Sequence, residues 1–375
     1  MTKKGQQVNP FTPLFGKVPS VIAGRQDVIL SIVDALESPA VSPELCSIIK
    51  GMRGSGKTTL LRHLAFRAQE LGWVCAYTTA TKGMLNDLLI KTKNASSHLI
   101  EDNRGKKLTH IGIGNAFSVS WENEEKNYTN WQAEITALLD ELAESQTGIF
   151  FVVDEVDSSL PEMIQLATVF QMLLGENKKV ALLMAGLPNN ISSLLTGKTT
   201  SFLRRSQQFN LGCVPDFEIK EAFRLTVEEG GKKIGQDALD VATKAICGFP
   251  FLMQLVGFRA WNASASSEVI SVEHVEQGVK VSKEEIKTKI FEATFNELSE
   301  ADKEFLFAMN KKGEFTERST IAKETGRDSS WISRHKKRLL QAGVIEEPRQ
   351  GKFKFSLPSF AEFLEEEKQN ASWLP

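Results

Sequence analysis

The sequence predicts an α/β protein: a three-layer αβα core on a parallel sheet, then an all-helical region, then a small C-terminal unit with a helix-turn-helix pattern. Three observations predict it. Gly51-Met52-Arg53-Gly54-Ser55-Gly56-Lys57-Thr58 is glycine-rich and lies between a short apolar run and a helical pattern. Uninterrupted apolar runs, Gly148-Ile149-Phe150-Phe151-Val152-Val153 and Val180-Ala181-Leu182-Leu183-Met184-Ala185, recur between amphipathic segments, as strands covered on both faces do. From residue 214 the alternation stops and helical spacing takes over.

The elements follow in order. Residues 8–20 carry Pro10, Pro13 and Pro19 and read as an extended arm, because proline fixes φ and withholds an N–H. A helical pattern covers 26–36. Leu45-Cys46-Ser47-Ile48-Ile49-Lys50 reads as a buried strand, and 58–71 as a helix with Leu60, Leu61, Leu64 and Ala65 on one face. Trp73-Val74-Cys75-Ala76-Tyr77-Thr78 is a second strand, followed by a helix over 83–92. Residues 100–130 are polar, contain Ile111-Gly112-Ile113-Gly114, and read as an inserted hairpin or loop. An amphipathic helix over 131–145 leads into the apolar strand at 148–153, and a helix over 161–174 into the strand at 180–185. A short helix and a last strand near 208–211 complete the alternation. Beyond it, helices are predicted at 216–229, 236–247, 251–262 and 272–290, with no strand. The expected domains are 1–213 for the core, 214–294 for a helical lid and 295–375 for the C-terminal unit.

The glycine-rich octapeptide fits G-x-x-x-x-G-K-[ST], the phosphate-binding P-loop. Gly51, Gly54 and Gly56 let the backbone wrap a triphosphate without a Cβ in the way. The N–H groups around Arg53, Ser55 and Thr59 and the start of the next helix then face the anion. Lys57 can reach the β- and γ-phosphates, and the Thr58 hydroxyl can ligate Mg²⁺. ATP and Mg²⁺ are the expected ligands of this P-loop NTPase core. Phe151-Val152-Val153-Asp154-Glu155 is the second signature, in which Asp154 holds Mg²⁺ from a strand end beside the loop and Glu155 acts as base on the attacking water. Asp157 reads as an ordinary polar residue. After Gly186-Leu187-Pro188, Asn189 and Asn190 read as a helix cap. Phe202-Leu203-Arg204-Arg205 places two arginines near the sheet, one of which can stabilise transition-state charge, in the same chain or across a subunit boundary. The candidate catalytic residues are therefore Lys57, Glu155, Arg204 and Arg205.

The C-terminal unit reads as a winged helix-turn-helix. Residues 319–325 form its first motif helix, Gly326 the turn, and 329–342 the recognition helix with Asp328 as N-cap. Ile332 and Leu339 face the core, while Ser330, Ser333, Arg334 and Lys337 point outwards. Arg338 and, on a two-stranded wing over 346–355 with Gly351 at its centre, Lys352 join them as candidate DNA contacts. From Arg327 to Lys354 there are eight Lys/Arg and three Asp/Glu, a local +5 in a chain of net charge −2. The bulk charge therefore does not point to nucleic acid, but this patch does. Duplex DNA is the expected partner, and a protein partner the alternative. Trp331 reads as a DNA or packing contact, and His335 as structural or a phosphate contact.

The four cysteines, Cys46, Cys75, Cys213 and Cys247, form no C-x-x-C pair, which argues against a zinc site or disulfide framework. Cys46 and Cys75 lie in strand-like runs as buried thiols. No apolar run approaches a membrane span and no signal-peptide core is present, so a cytoplasmic protein without a membrane partner is expected.

One family joins these motifs. Asn9-Pro10-Phe11-Thr12-Pro13 with Ala23-Gly24-Arg25 resembles the opening motif of origin-recognition-complex-like and STAND-type AAA ATPases. Gly248-Phe249-Pro250, followed by Phe251-Leu252, is similar to the G-x-P motif of their lid. Gly186-Leu187-Pro188 and Phe202-Leu203-Arg204-Arg205 resemble a bacterial branch with a C-terminal winged helix. The resemblance spans about residues 8–360. It implies that Ile22, Gly24 and Arg25 lie by the adenine and that Pro250 approaches the base. The family's lid arginine has no clear counterpart, Arg259 being the nearest candidate. The expected function is an ATP-hydrolysing switch coupled to duplex DNA, working alone or as a homo-oligomer. A nucleotide-sensing regulator with negligible turnover, and a signalling or defence scaffold whose winged helix grips protein, are the competing expectations.

Overall fold

Strands that are apolar on both faces need cover on both sides, and the two central runs receive it. The structure is a computed structural model that describes residues 8–14, 16–38, 41–104, 124–265, 267–309 and 315–370. The described residues of Arg25–Gly51 and Lys57–Leu211 form one compact unit, and those of Met1–Gly24, Met52–Gly56 and Gly212–Pro375 another.

The first unit is the α/β core. It runs α1 (Gln26–Glu37), β1 (Cys46–Gly51), α2 (Lys57–Glu70), β2 (Val74–Thr79), α3 (Met84–Arg104), α4 (Glu124–Ala143), β3 (Ile149–Asp154), α5 (Pro161–Gly175), β4 (Val180–Gly186), α6 (Pro188–Thr196) and β5 (Gln207–Leu211). The five strands are all parallel, in the order β2-β3-β4-β1-β5. Every residue of β3 and of β4 is buried. Leu60, Leu61 and Leu64 of α2 are fully buried, as their common face predicts, with Ala68. Ala65, expected on that face, is only half-buried.

Some expectations need correction. The polar segment 100–130 is not simply a hairpin or loop: residues 100–104 close α3 and residues 124–130 open α4, while 105–123 lie outside the described residues. A polar helix end and a polar loop have the same composition, so composition did not separate the two. Trp131 Nε1 donates to Leu85 O at 2.7 Å, which ties α4 to α3. Asn189 and Asn190 do not cap α6. Leu187 is its N-cap with Pro188 at the first position, where a missing N–H costs nothing. Asn190 instead donates its amide to Val156 O at 3.1 Å. Among the cysteines, Cys75 is buried and Cys46 half-buried, and burial pushes both thiols up to about 12.

The second unit contains two hydrophobic cores. The first gathers α7 (Asp216–Glu229), β6 (Lys233–Ile234), α8 (Gln236–Ile246), α9 (Pro250–Ala263), β7 (Val269–Ile270) and α10 (Val272–Ile286). Helices dominate as expected, but β6 and β7 form a two-residue parallel pair, so this region is not strictly all-helical. The helix predicted to reach residue 290 ends at Ile286 and passes through a π-turn at Lys287–Phe291 into α11 (Glu292–Asn296). The proline-bearing arm packs here. Phe11 is buried, its ring centroid 5.0 Å from that of Phe223. Asn9 Nδ2 donates to Phe258 O and to Asn262 Oδ1, and Thr12 N donates to Gln254 Oε1. Gly257 makes the room: a Cβ there would lie 2.2–2.6 Å from the Phe11 ring.

The second core of this unit gathers α12 (Glu300–Met309), β8 (Thr316–Glu317), α13 (Arg318–Thr325), α14 (Ser329–Ala342), β9 (Ile345–Arg349), β10 (Lys352–Phe355) and α15 (Phe360–Asn370), the segments the sequence reads as a winged helix-turn-helix. Gly326 turns the chain at φ 63° and Asp328 Oδ1 accepts from Trp331 N, as predicted from residue type. The wing has a third strand that the sequence did not reveal, β8 pairing with β10, because two residues are too few to show a period. Ile332 and Leu339 are buried. His335 is also buried; its Nδ1 lies 2.7 Å from Asp302 Oδ1 and its ring 4.4 Å from the Trp331 ring. Asp302 Oδ2 also accepts from Ser299 Oγ at 2.6 Å and pairs with Arg338 at 3.0 Å. Its side chain is 1% exposed.

Two outcomes follow from this packing. Gly257→Ala forces Phe11 out of its seat and should cost about 1–3 kcal/mol, the range for overpacking a filled core. Gly175→Ala, with open space around its Cβ, is the neutral control, and denaturant midpoints measure both. Burial alone would raise the Asp302 pKa, but hydrogen bonds from Ser299 and His335 and the charge of Arg338 hold it below the usual carboxylate value. A depressed folded pKa stabilises at all pH above the unfolded value of about 3.9, and that stabilisation is lost as pH falls through the folded value. Wild-type midpoints should therefore fall below about pH 4 more steeply than those of Asp302→Asn. At neutral pH that variant should be less stable by about 1.5–3 kcal/mol, the worth of hydrogen bonds to a charged group.

Candidate functional site

Parallel strands end on the same edge of a sheet, so side chains just beyond their carboxyl ends converge. In the core unit those ends include Gly51 of β1, Thr79 of β2, Asp154 of β3 and Gly186 of β4. The glycine-rich loop leaves β1 at Gly51 and enters α2 at Lys57. Gly54 and Gly56 have φ of 77° and 87°, a region L side chains rarely enter. Within the second unit, Cβ atoms on them would lie 3.7 Å from Phe251 Cβ and from Pro250 Cβ respectively, and Phe251 N donates to Gly54 O at 3.4 Å. Ser55 is buried and Arg53 exposed; Thr59, in the first turn of α2, is half-buried. Lys57 Nζ donates to Gly51 O at 2.9 Å, which keeps its ammonium at the loop.

Asp154 is 3% exposed and engaged on both oxygens. Oδ2 accepts from Thr58 Oγ1 at 2.6 Å and from Tyr77 OH at 2.8 Å, and Oδ1 from Glu155 N at 2.9 Å. The sequence pairs Asp154 with the loop, and the structure adds how: β4 lies between β1 and β3, and Thr58 from the first turn of α2 makes the link. Glu155 is exposed with φ 53°, a strained conformation for a non-glycine residue and one that clusters at functional sites. Tyr77 was not singled out from sequence. A tyrosine in an apolar strand reads as packing, and only the register β2 takes on β3 reveals its target. Asp157 accepts from Ser159 N and Oγ and stays an ordinary turn residue.

The remaining candidates fall in several places. Arg204 and Arg205 are exposed in a 3₁₀ turn, Ser201–Arg205, ahead of β5; Arg204 Nε donates to Ser201 O, and neither pairs with a carboxylate among the described residues. Arg25 is buried at the N-cap of α1. In the second unit, Ile22 is half-buried and Pro250 opens α9 with Phe249 as N-cap. Gly24 turns at φ 64°, and its missing Cβ leaves space for Val214. Gly248 turns at φ 73°, where a Cβ would meet Val214 O at 2.6 Å and break the contact in which Val214 N donates to Gly248 O. Arg259 pairs with Glu285, whose carboxyl it holds below the usual range by hydrogen bonding.

On the basic surface, Ser330, Ser333, Arg334, Lys337 and Arg338 of α14 are exposed and Lys352 half-exposed. They are not equivalent. Arg338 is tied to Asp302, and Lys352 lies 3.8 Å from Glu317. Ser333 Oγ donates to Ser329 O and accepts from Arg318 Nη2. Arg334 and Lys337 have no ion-pair partner among the described residues.

The residues present fit a magnesium-bound nucleotide. Gly54 and Gly56 turn at positive φ without a Cβ, and in the core unit the Thr58 hydroxyl donates to the Asp154 carboxylate one residue after Lys57. Among the described residues no group of three His, Cys, Asp or Glu forms a closed metal cage, and Mg²⁺ commonly takes one or two protein oxygens together with phosphates and water. No described helix is long and apolar enough to cross a membrane.

Comparison with known proteins agrees with this architecture. A family described as "Domain of unknown function (DUF8462)" matches residues 288–364. No curated protein matches the sequence. Among solved structures, the ORC2 protein of Aeropyrum pernix, in ADPNP–ADP complexes, superposes with a TM-score of 0.66 at 14% identity, over 96% of this chain and 98% of that one. A Walker-type ATPase of Pyrococcus abyssi gives 0.65 at 14%, over 92% and 96%. Cdc6p from Pyrobaculum aerophilum gives 0.50 at 15%, over 95% and 97%. At such identities the likeness is one of fold, and over nearly its whole length this chain has the fold of those archaeal proteins.

Proposed function

We propose that the protein binds Mg-ATP at the glycine-rich loop, hydrolyses it to ADP and phosphate, and couples its nucleotide state to duplex DNA through α14 and the wing. The observation that carries the first part is the 2.6 Å bond from Thr58 Oγ1 to Asp154 Oδ2, one residue beyond a lysine held on the loop. In this reading Lys57 exchanges Gly51 O for the β- and γ-phosphate oxygens. Thr58 Oγ1 keeps its proton on Asp154 and turns a lone pair outwards. Mg²⁺, when bound, supplies positive charge to the phosphate oxygens. Glu155 accepts the proton of the attacking water, and Arg204 or Arg205 meets charge developing on the γ-phosphate, in this chain or from a second copy. Backbone N–H groups of the loop hold phosphate, and Ile22, Gly24, Arg25 and Pro250 are assigned to the base by their resemblance to the AAA motifs.

The finer assignments are proposals of the same kind: a cytoplasmic, bacterial-type origin-recognition-like AAA protein, divided functionally at 1–213, 214–294 and 295–375. Support for coupling comes from the second unit, which contains both loop residues 52–56 and the basic helix α14.

Lys57→Ala should weaken Mg-ATP binding strongly in calorimetry. Glu155→Gln should keep binding but lose turnover at least about tenfold, the low end for a general base; full activity in this variant removes Glu155 from the mechanism.

DNA affinity at fixed salt should differ between the ATP, ADP and nucleotide-free states by roughly 5–150-fold, and DNA should change ATP affinity by the same factor. Replacing Arg334 and Lys337 by Ala should weaken DNA binding and lower its salt slope by about 0.9 per lost phosphate contact, with ATP binding intact. Equal DNA affinity in all three states rejects the switch, and no salt-dependent DNA binding at all favours a winged helix that grips protein.

A further inference from the structure

Tyr77 interrupts an apolar strand, and its position explains why. In the register of β2 on β3, Tyr77 lies opposite Val152 and Thr79 opposite Asp154. Side chains two apart share a face of the sheet, so Tyr77 and Asp154 are diagonal neighbours, a separation an aromatic side chain can span. The phenol spans it: OH donates to Asp154 Oδ2 at 2.8 Å. The ring is held from its face by Arg62, whose Cζ lies 5.0 Å from the centroid and which sits one turn after Thr58 in α2.

The sheet does not need this bond, since β2 and β3 already pair at six successive positions from Val74 to Thr79. Its effect falls on the carboxylate. An ionised Asp has about four acceptor sites; Thr58, Tyr77 and the Glu155 N–H occupy three, which fixes the plane of the group and the direction of the remaining lone pair.

We infer that Tyr77 is a positioning residue for the magnesium site: its hydroxyl orients Asp154 so that the carboxylate meets the metal's shell in one geometry. The inference rests on the nucleotide reading above and deepens it. Partners that orient a metal-binding carboxylate are worth about 10–100-fold in metal affinity, and that is the size of effect expected here.

The experiment titrates Mg²⁺ into the full chain with ATP and reads the Mg²⁺-dependent gain in nucleotide affinity by calorimetry, beside ADP binding in EDTA and the thermal midpoint. Tyr77→Phe removes only the hydroxyl, and Tyr77→Leu removes hydroxyl and ring. The expected result is a Mg²⁺ midpoint raised about 10–100-fold in both, with metal-free ADP binding unchanged and Tyr77→Phe folded, its thermal midpoint lowered by no more than the loss of one hydrogen bond to a charged group costs. A shift in Tyr77→Leu alone assigns Tyr77 to packing and overturns the inference, as does an unchanged midpoint in both. A wild-type chain that binds no nucleotide overturns the reading beneath it and this inference with it, an outcome distinct from equal midpoints in a nucleotide-binding protein.

Discussion

The carboxylate of Asp154 is the point on which the core unit depends. Three elements meet at it: α2 through Thr58, β2 through Tyr77, and its own strand through the N–H of Glu155. A carboxylate at 3% exposure is tolerated only when its lone pairs are satisfied, so the same bonds that make it buriable also orient it. The sheet order makes this arrangement necessary. With β4 between β1 and β3, the strand that feeds the loop stands about 10 Å from the strand that bears the carboxylate, two inter-strand spacings. A side chain from the first turn of α2 crosses that gap where one on β1 does not.

The second unit depends on a different constraint, which is space. The arm has little secondary structure of its own, and its backbone polar groups are met by side chains of α9: Gln254 accepts from Thr12 N, and Asn9 returns a bond to Phe258 O. Phe11 fills the volume Gly257 leaves empty. Because these partners stand some 250 positions apart in the chain, closing the contact carries an entropic cost that only the formed helical core offsets. Gly24 and Gly248 act in the same way at Val214, each omitting a Cβ where another segment passes. Gly24, which the resemblance assigns to the adenine, is thus also needed for packing.

In the C-terminal segment with α12 and α14, charge is divided by face. Arg338 is spent on Asp302, together with His335 and Ser299, and this network joins α12 to α14. Arg318 is spent on Ser329 and Ser333 at the start of α14. Arg334 and Lys337 are left facing solvent, so a net +5 counted along the sequence becomes a smaller, more localised field on the surface.

The sequence by itself determined the classes of element and marked the loop by its phosphate-binding pattern. Continuous apolar runs suit strands covered on both faces, the octapeptide fits the phosphate-binding pattern, and Asp328 and Gly326 mark helix ends by local backbone rules that need no partner. What lacked a local signature was out of reach. The helical ends of segment 100–130 resembled a loop because both are polar, β6, β7 and β8 were too short to show a period, and Asn190 looked like a cap until its amide was seen on Val156 O. The tertiary structure alone decided which residues meet: that Thr58 crosses to Asp154, that Tyr77 shares this carboxylate, that Phe11 needs Gly257, and that Arg338 and Ser333 are occupied while Arg334 and Lys337 have no ion pair among the described residues. Helix and turn preferences act over a few residues and are written in order along the chain. Strand order, register and side-chain pairing act between segments far apart, and no short stretch of sequence holds both partners.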